Sequence, residues 1–310
     1  MKLLLTLVSL SLLAASLGPT WKFVMPVLGP GEAGTFDETA VKDPSIVRYG
    51  DQWHIFYTAR GRNKYSLGYV AAPSLDALNR APRHSLEQLS GGAPVFAAPQ
   101  VFFFRPQQRW YLIYQTSASN YQPVFSVTQT IGRPESWGPP RPLVTKNEKD
   151  KWIDFWVICD DRLAWLFYTR NHSEVWAMTT RIGDFPNGFA NPRKVFAGVH
   201  EAVHVYKEAG AARFAMLFET SGEGGWRHYG LAQAAELGGP WTLEASDFAA
   251  RLDTGWSRDI SHGELIRTSY DERLEAGFAK AQFLIQGMPL DLHQGDYPSL
   301  PWRLGLIRNY

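Results

Sequence analysis

The run Trp53-His54-Ile55-Phe56-Tyr57-Thr58 returns along the chain as Trp110-Tyr111-Leu112-Ile113-Tyr114-Gln115, Trp165-Leu166-Phe167-Tyr168-Thr169 and Phe214-Ala215-Met216-Leu217-Phe218-Glu219. Each copy is a short stretch of aromatic and branched residues closing on a polar side chain, the composition of a strand packed on at least one face. Each is also preceded and followed by another strand-like run. Pro44 to Tyr49 and Ser66 to Ala71 flank the first, Gln100 to Phe104 and Val124 to Thr128 the second. Phe155 to Cys159 and Val175 to Thr179 flank the third, and Ala202 to Tyr206 and Tyr229 to Gln233 the fourth. A fifth unit uses Gly263 to Arg267, Gln282 to Gln286 and Arg303 to Ile307. Units recurring every 50 to 70 residues or so have the size of a propeller blade. A small twisted sheet cannot cover both its faces, so five such sheets must stack around an axis. The reading is all-β, a five-bladed β-propeller. A β-sandwich needs no hairpin repeated five times.

Composition agrees with this and removes several functions. The 310 residues carry 31 basic and 30 acidic side chains, so no broad field recruits nucleic acid or an anionic membrane. A single cysteine excludes an internal disulfide and a Cys-based zinc or iron–sulfur site. Cys159, inside an apolar run, reads as a small buried hydrophobe. The 12 Trp, 13 Tyr and 18 Phe are chiefly blade packing, with Tyr121, Trp226 and Tyr297 in loop-like segments left over as flat surfaces for a ligand. Residues 1–18 follow the order of a secretory signal peptide: Lys2, an apolar run from Leu3 to Leu13, then Ala14, Ala15, Ser16 and Gly18. Secretion, a single domain over residues 19–310, a monomer and no membrane contact after leader removal are the expectations.

In a propeller the innermost strands run parallel to the axis and start at one mouth. The residues at those starts are Asp43, Gln100, Asp154, Glu201 and His262. Three carboxylates together in a partly apolar channel repel one another, and desolvation adds to the cost of ionising all of them. At least one is expected to hold its proton near neutral pH, the division of roles that glycoside hydrolysis requires. A solvated acidic patch and a metal cage are the plainer alternatives. No EF-hand loop, His-Glu-x-x-His or phosphate-binding Gly-rich loop is present.

The runs Val-Lys-Asp-Pro-Ser-Ile-Val from Val41, Trp-Ile-Asp-Phe-Trp-Val-Ile-Cys-Asp-Asp from Trp152, His-Glu-Ala-Val-His-Val-Tyr-Lys from His200, Asp-Ile-Ser-His-Gly-Glu-Leu-Ile-Arg from Asp259 and Leu-Pro-Trp-Arg-Leu-Gly-Leu-Ile from Leu300 resemble glycoside hydrolase family 62. The resemblance spans about residues 41 to 308. It implies a secreted α-L-arabinofuranosidase that removes arabinose side groups from arabinoxylan with inversion. It further implies Asp43 as general base, Glu201 as general acid and Asp154 as the carboxylate that orients the sugar and tunes the acid. Glu201 is then expected to be kept neutral by its carboxylate neighbours and partial burial. Lys42, Gln100, Arg227 and Tyr297 are the implied substrate contacts. His262 is implied to stand beside an axial calcium ion, and no organic cofactor is expected. Residues Trp21 to Ala40 depart from the family's usual lead-in to the first blade. The alternatives are a related five-bladed glycosidase acting on arabinan or xylo-oligosaccharides, and a non-catalytic carbohydrate-binding propeller. The second would repeat its binding residues in every blade, whereas here they differ.

Overall fold

The computed structural model describes residues 20–117, 122–144 and 152–310. The leader expected over 1–18 and the sugar contact expected of Tyr121 lie outside the described residues. Five antiparallel sheets form, one per repeat, each of four strands or more. From the axis outward, blade 1 runs Ala40–Tyr49, Gln52–Arg60, Tyr65–Ala72, Arg83–Ser85. Blade 2 runs Phe96–Phe104, Arg109–Thr116, Gln122–Thr128, Arg141–Pro142. Blade 3 is Trp152–Cys159, Leu163–Arg170, Glu174–Arg181, Ala190–Ala197. Blade 4 is Glu201–Glu208, Phe214–Ser221, Arg227–Ala234, Thr242–Ala249, with the short strand Glu275–Ala276 parallel to its inner edge.

Blade 5 explains the stretch that departs from the family. Its three inner strands, Ser261–Leu265, Gln282–Gly287 and Arg303–Asn309, come from the end of the chain. Its outer strand is Trp21–Leu28, paired antiparallel with Arg303–Asn309 so that Trp21 faces Asn309. The indole of Trp21 is fully buried, donates to the carbonyl of Phe248 at 2.8 Å and meets the Phe248 ring edge-on at 5.5 Å. Burying such a ring stabilises by about 2–3 kcal/mol, enough to fix where the circle closes. Between this strand and blade 1, the buried Asp37 carboxylate accepts from Tyr57 (2.9 Å) and Arg83 (2.9 Å), so its charge is compensated where it is desolvated.

The second strands supply the blade packing the repeat predicts. Tyr57 and Phe218 lie across the third strands of blades 1 and 4 at Gly68 and Gly230. A Cβ there would sit 2.3 Å from the Tyr57 ring and 2.5 Å from the Phe218 ring, so only glycine lets the rings lie flat. Cys159 is 1% exposed and burial pushes its thiol well up, in line with a packing role.

The inner strands hold a feature that the sequence did not disclose. All five carry a β-bulge at the same depth, where three steps along the inner strand answer two along its neighbour. The bulges put Asp43, Ala98, Asp154, Ala202 and His262 at equivalent positions, and all but His262 have positive φ. This corrects the expected ring of Asp43, Gln100, Asp154, Glu201 and His262. Gln100 belongs two residues deeper, with Ser45, Trp156, His204 and Glu264, and Glu201 one residue nearer the mouth, with Lys42. An extra residue in each strand moves side chains off simple two-residue counting.

A bulge leaves its backbone N–H without a ladder partner, and a buried N–H needs one. At four of the five junctions the acceptor is the polar residue ending the second strand of the preceding blade. Ala98 donates to Thr58 Oγ1 (2.8 Å), Asp154 to Gln115 Oε1 (3.2 Å), His262 to Glu219 Oε2 (2.9 Å) and Asp43 to Gln286 Oε1 (3.1 Å). Thr169 is the equivalent residue at the junction of blades 3 and 4, but there Ala202 donates to Asp154 Oδ2 at 2.8 Å. A polar belt thus ties the blades together at the mouth.

Candidate active site

The belt carries the chemistry. Asp43 and Asp154 project from bulges of blades 1 and 3 and are 9% and 8% exposed. Between them stands His262 of blade 5, its Nδ1 3.4 Å from Asp43 Oδ1 and 4.0 Å from Asp154 Oδ1. Burial lowers the imidazole's pKa, but Asp43, Asp154, Glu219 and Glu201 outweigh it and raise the net value. Burial pushes Asp154 up to about 6, against the pull of His262 and the Ala202 amide, with the Glu201 and Asp43 charges adding to the rise. By accepting from the amide next to Glu201, Asp154 also fixes the strand that presents Glu201.

Glu201 opens the inner strand of blade 4. Arg227 NH1 binds its Oε1 and also Oε1 of Glu219, so one guanidinium is shared by two carboxylates. Glu219 is fully buried and accepts from Ser261 Oγ (2.6 Å) and His262 N (2.9 Å) with its other oxygen. Burial raises it to about 7 despite Arg227. Burial would raise Glu201 too, but the hydrogen bond from His172 and the Arg227 guanidinium prevail and hold it well below the usual carboxylate range. The expectation that the neighbouring carboxylates keep Glu201 neutral is therefore corrected. The carboxyls that tend to keep a proton are Asp154 and Glu219, where burial prevails; Glu219 shares Arg227, but only Glu201 also meets His172.

Of the expected substrate contacts, three converge on this mouth. Lys42 Nζ donates to the Tyr297 hydroxyl at 3.0 Å and lies 4.7 Å over its ring. Arg227 stands 5.2 Å from the same ring, which is 40% exposed. Burial works against the Lys42 charge, yet Asp43 and Tyr297 hold it protonated. Gln100 is a correction. It is 1% exposed, with Oε1 accepting from Val157 N (2.7 Å) and Nε2 donating to Val157 O (2.8 Å). It staples blade 2 to blade 3 beneath the mouth, and its burial keeps the amide out of a sugar's reach. Trp226 lies next to Arg227 with Arg258 4.3 Å over its ring.

The profile of glycosyl hydrolase family 62 matches residues 33–308. The chain belongs to that family. Alpha-L-arabinofuranosidase C of Cellvibrio japonicus is 32% identical over 304 residues, 93% of this chain, and this chain spans 46% of that protein's length. The catalytic domain of the Coprinopsis cinerea GH62 alpha-L-arabinofuranosidase superposes with a TM-score of 0.87 at 31% identity, covering 94% of this chain and 97% of that one. A GH62 hydrolase solved with xylotriose gives a TM-score of 0.85 at 29% identity over 94% and 98%.

Within this family 62 chain, Glu219, His172 and His200 join the site without having been anticipated. Glu219 had a signal. It ends the fourth copy of the aromatic run where the others end in Thr or Gln, and a lone acid among neutral residues marks a position facing charge. His172 sits in the hairpin turn between the second and third strands of blade 3, His200 just before Glu201, and neither position belongs to the repeat.

Around His262 the donors open to the implied axial calcium are few. Two carboxylate oxygens and one imidazole lie together, and His204 Nδ1, in a ring 5.2 Å from that of His262, has no hydrogen-bond partner. Calcium takes six to eight oxygens, so these residues fit the ion only with water as its main ligand.

Proposed function

We propose that this chain is an inverting α-L-arabinofuranosidase that removes arabinofuranosyl side groups from arabinoxylan. The observation that carries the reading is one asymmetric mouth in a family 62 chain where Asp43, Asp154 and Glu201 come together with Arg227, Lys42 and Tyr297. Asp43 takes a proton from a water on one face of the sugar, and Glu201 protonates the leaving oxygen on the other. A single displacement needs about 6.5–9.5 Å between the two carboxyls. In the unliganded molecule Glu201 is held as an anion, so substrate must change its environment first. A sugar that draws Arg227 away from Oε1 and His172 away from Oε2 leaves burial as the dominant influence on Glu201, which raises its pKa and lets it take up a proton. Asp154 contributes by holding the Ala202 amide and by keeping negative charge near the acid.

The names of the relatives support arabinofuranosidase activity, and the xylotriose complex of one GH62 hydrolase supports a xylan backbone as the carrier of the arabinose. Secretion by way of residues 1–18 and a monomeric state complete the proposal. A calcium ion beside His262, held largely through water, would supply fixed positive charge under Asp43 and Asp154. A chelated protein that regains no calcium in elemental analysis and melts unchanged would remove it from the reading. The activity is tested by following sugar released from wheat arabinoxylan, debranched xylan and arabinan by proton NMR. β-Arabinofuranose appearing first from arabinoxylan is expected. Release from arabinan alone would favour the related glycosidase, and release from none of the three would favour a binding module.

A further inference from the structure

Beside the mouth, two imidazoles face the oxygen of Glu201 that Arg227 does not hold. His172 Nδ1 is 3.4 Å and His200 Nε2 4.0 Å from Glu201 Oε2, and the two rings lie 5.2 Å apart at 29°. One nitrogen from each histidine and one Glu201 oxygen all fall within 4.8 Å of one another. The histidine side chains are 41% and 36% exposed, so the approach from solvent is open. Two imidazoles and a carboxylate with a free position for water make a donor set suited to zinc and its neighbours, while calcium and magnesium prefer all-oxygen sites. Metal–ligand bonds of about 2.0–2.2 Å in a tetrahedron put ligand atoms about 3.3 Å apart, within reach of small side-chain rotations here. The Arg227 guanidinium opposes a dication, but it binds Oε1 of Glu201 and of Glu219 and leaves Oε2 of Glu201 to the imidazoles.

We propose that His172, His200 and Glu201 form a site for a divalent ion of the zinc class, and that filling it takes Glu201 out of the reaction. The second half rests on Glu201 being the general acid, and the first does not. A dication bound at Oε2 holds the carboxylate as an anion, so it cannot carry the proton to be donated, and no covalent bond is made or broken in the protein.

The test is titration of the full-length enzyme with zinc chloride by calorimetry at pH 7, with arabinose release measured on the same samples. One zinc per chain at micromolar affinity is expected, weakened about tenfold or more by His172→Asn and by His200→Ala as a ligand is removed. Asparagine is chosen at 172 because that residue has a φ of 48°, which asparagine tolerates. His84→Ala, at an exposed histidine far from the mouth, should bind zinc as the parent does. Thermal melting identifies any variant that has lost its fold, and His172→Asn, on a surface turn, serves if His200→Ala has. No stoichiometric zinc, or zinc binding unchanged in both variants, would overturn the site. Stoichiometric zinc that depends on both histidines yet leaves arabinose release untouched would keep the site and overturn the role of Glu201.

Discussion

Four of the five blade junctions at the mouth are built alike, and the one between blades 3 and 4 is not. At the four, a residue ending one blade's second strand accepts the bulge N–H of the next. At the fifth, a carboxylate from the neighbouring bulge itself, Asp154, does so, and the hydroxyl of Thr169 is left without a hydrogen bond. The same hydrogen bond is a staple at four places and a link between two acids at the fifth. A repeated scaffold becomes a single site where two adjoining fastenings are carboxylates, Asp154 between blades 3 and 4 and Glu219 between blades 4 and 5, and the first of them reaches across from the neighbouring bulge.

Substitutions can press on this contrast. The largest effect is expected at Glu201→Gln, where arabinose release should fall about 10²–10⁴-fold, the usual worth of a general acid. The melting temperature should stay close to that of the parent. Activity surviving in that variant would remove Glu201 from the mechanism. Next comes a matched pair. Asp154→Ala and Thr58→Val each leave one buried bulge N–H without its acceptor, at a cost of about 1–3 kcal/mol in urea unfolding. Only Asp154→Ala should also lower kcat, by about tenfold or more through the altered acid. Equal kcat losses in the two would mean that the junctions do not differ in function.

Glu219→Gln separates the fastening from the charge. A carboxyl whose folded pKa is raised contributes stability below its unfolded pKa and loses it as pH rises through the folded one. For Glu219 that window runs from 4.5 to about 7. The glutamine variant should therefore gain stability relative to the parent between pH 4.5 and 7.5, read by urea unfolding at both ends. A constant difference would mean that Glu219 titrates in the folded protein as it does in the unfolded chain. The smallest effect is at Ala98, an alanine with a φ of 53° at a junction that carries no charge. Ala98→Gly should stabilise by about 0.5–1 kcal/mol, since the left-handed penalty is relieved at some cost in chain entropy.

These residues also mark how far the sequence could be read. The aromatic second strands repeat closely enough to fix blade number and order, because side-chain packing between blades constrains them alike. Trp21–Leu28 escapes that logic. It has no copies, contains Pro26, and is assigned to blade 5 only by pairing with the other end of the chain. The family motifs bring Asp43, Asp154, Glu201, Arg227, Lys42 and Tyr297 to one mouth, yet the equivalence among blades was misjudged for Gln100 and Glu201. A bulge is a property of backbone pairing, and one extra residue per strand is invisible when strands are counted singly. The charge on Glu201 was misjudged for a related reason. Its partners Arg227, on the third strand of its own blade, and His172, on a turn of blade 3, meet it only in space.

The seam in blade 5 sets an order of assembly. Glu201, Arg227, Glu219 and Asp154 all belong to blades 3 and 4, whose strands are consecutive in the chain. Asp43 is held from blade 5, by the Gln286 side chain and beside His262, and blade 5 is complete only when Trp21–Leu28 meets Arg303–Asn309. The acid half of the site can therefore take shape while the base half still waits for the ring to shut, and the onset of activity on refolding would report the closing of the circle.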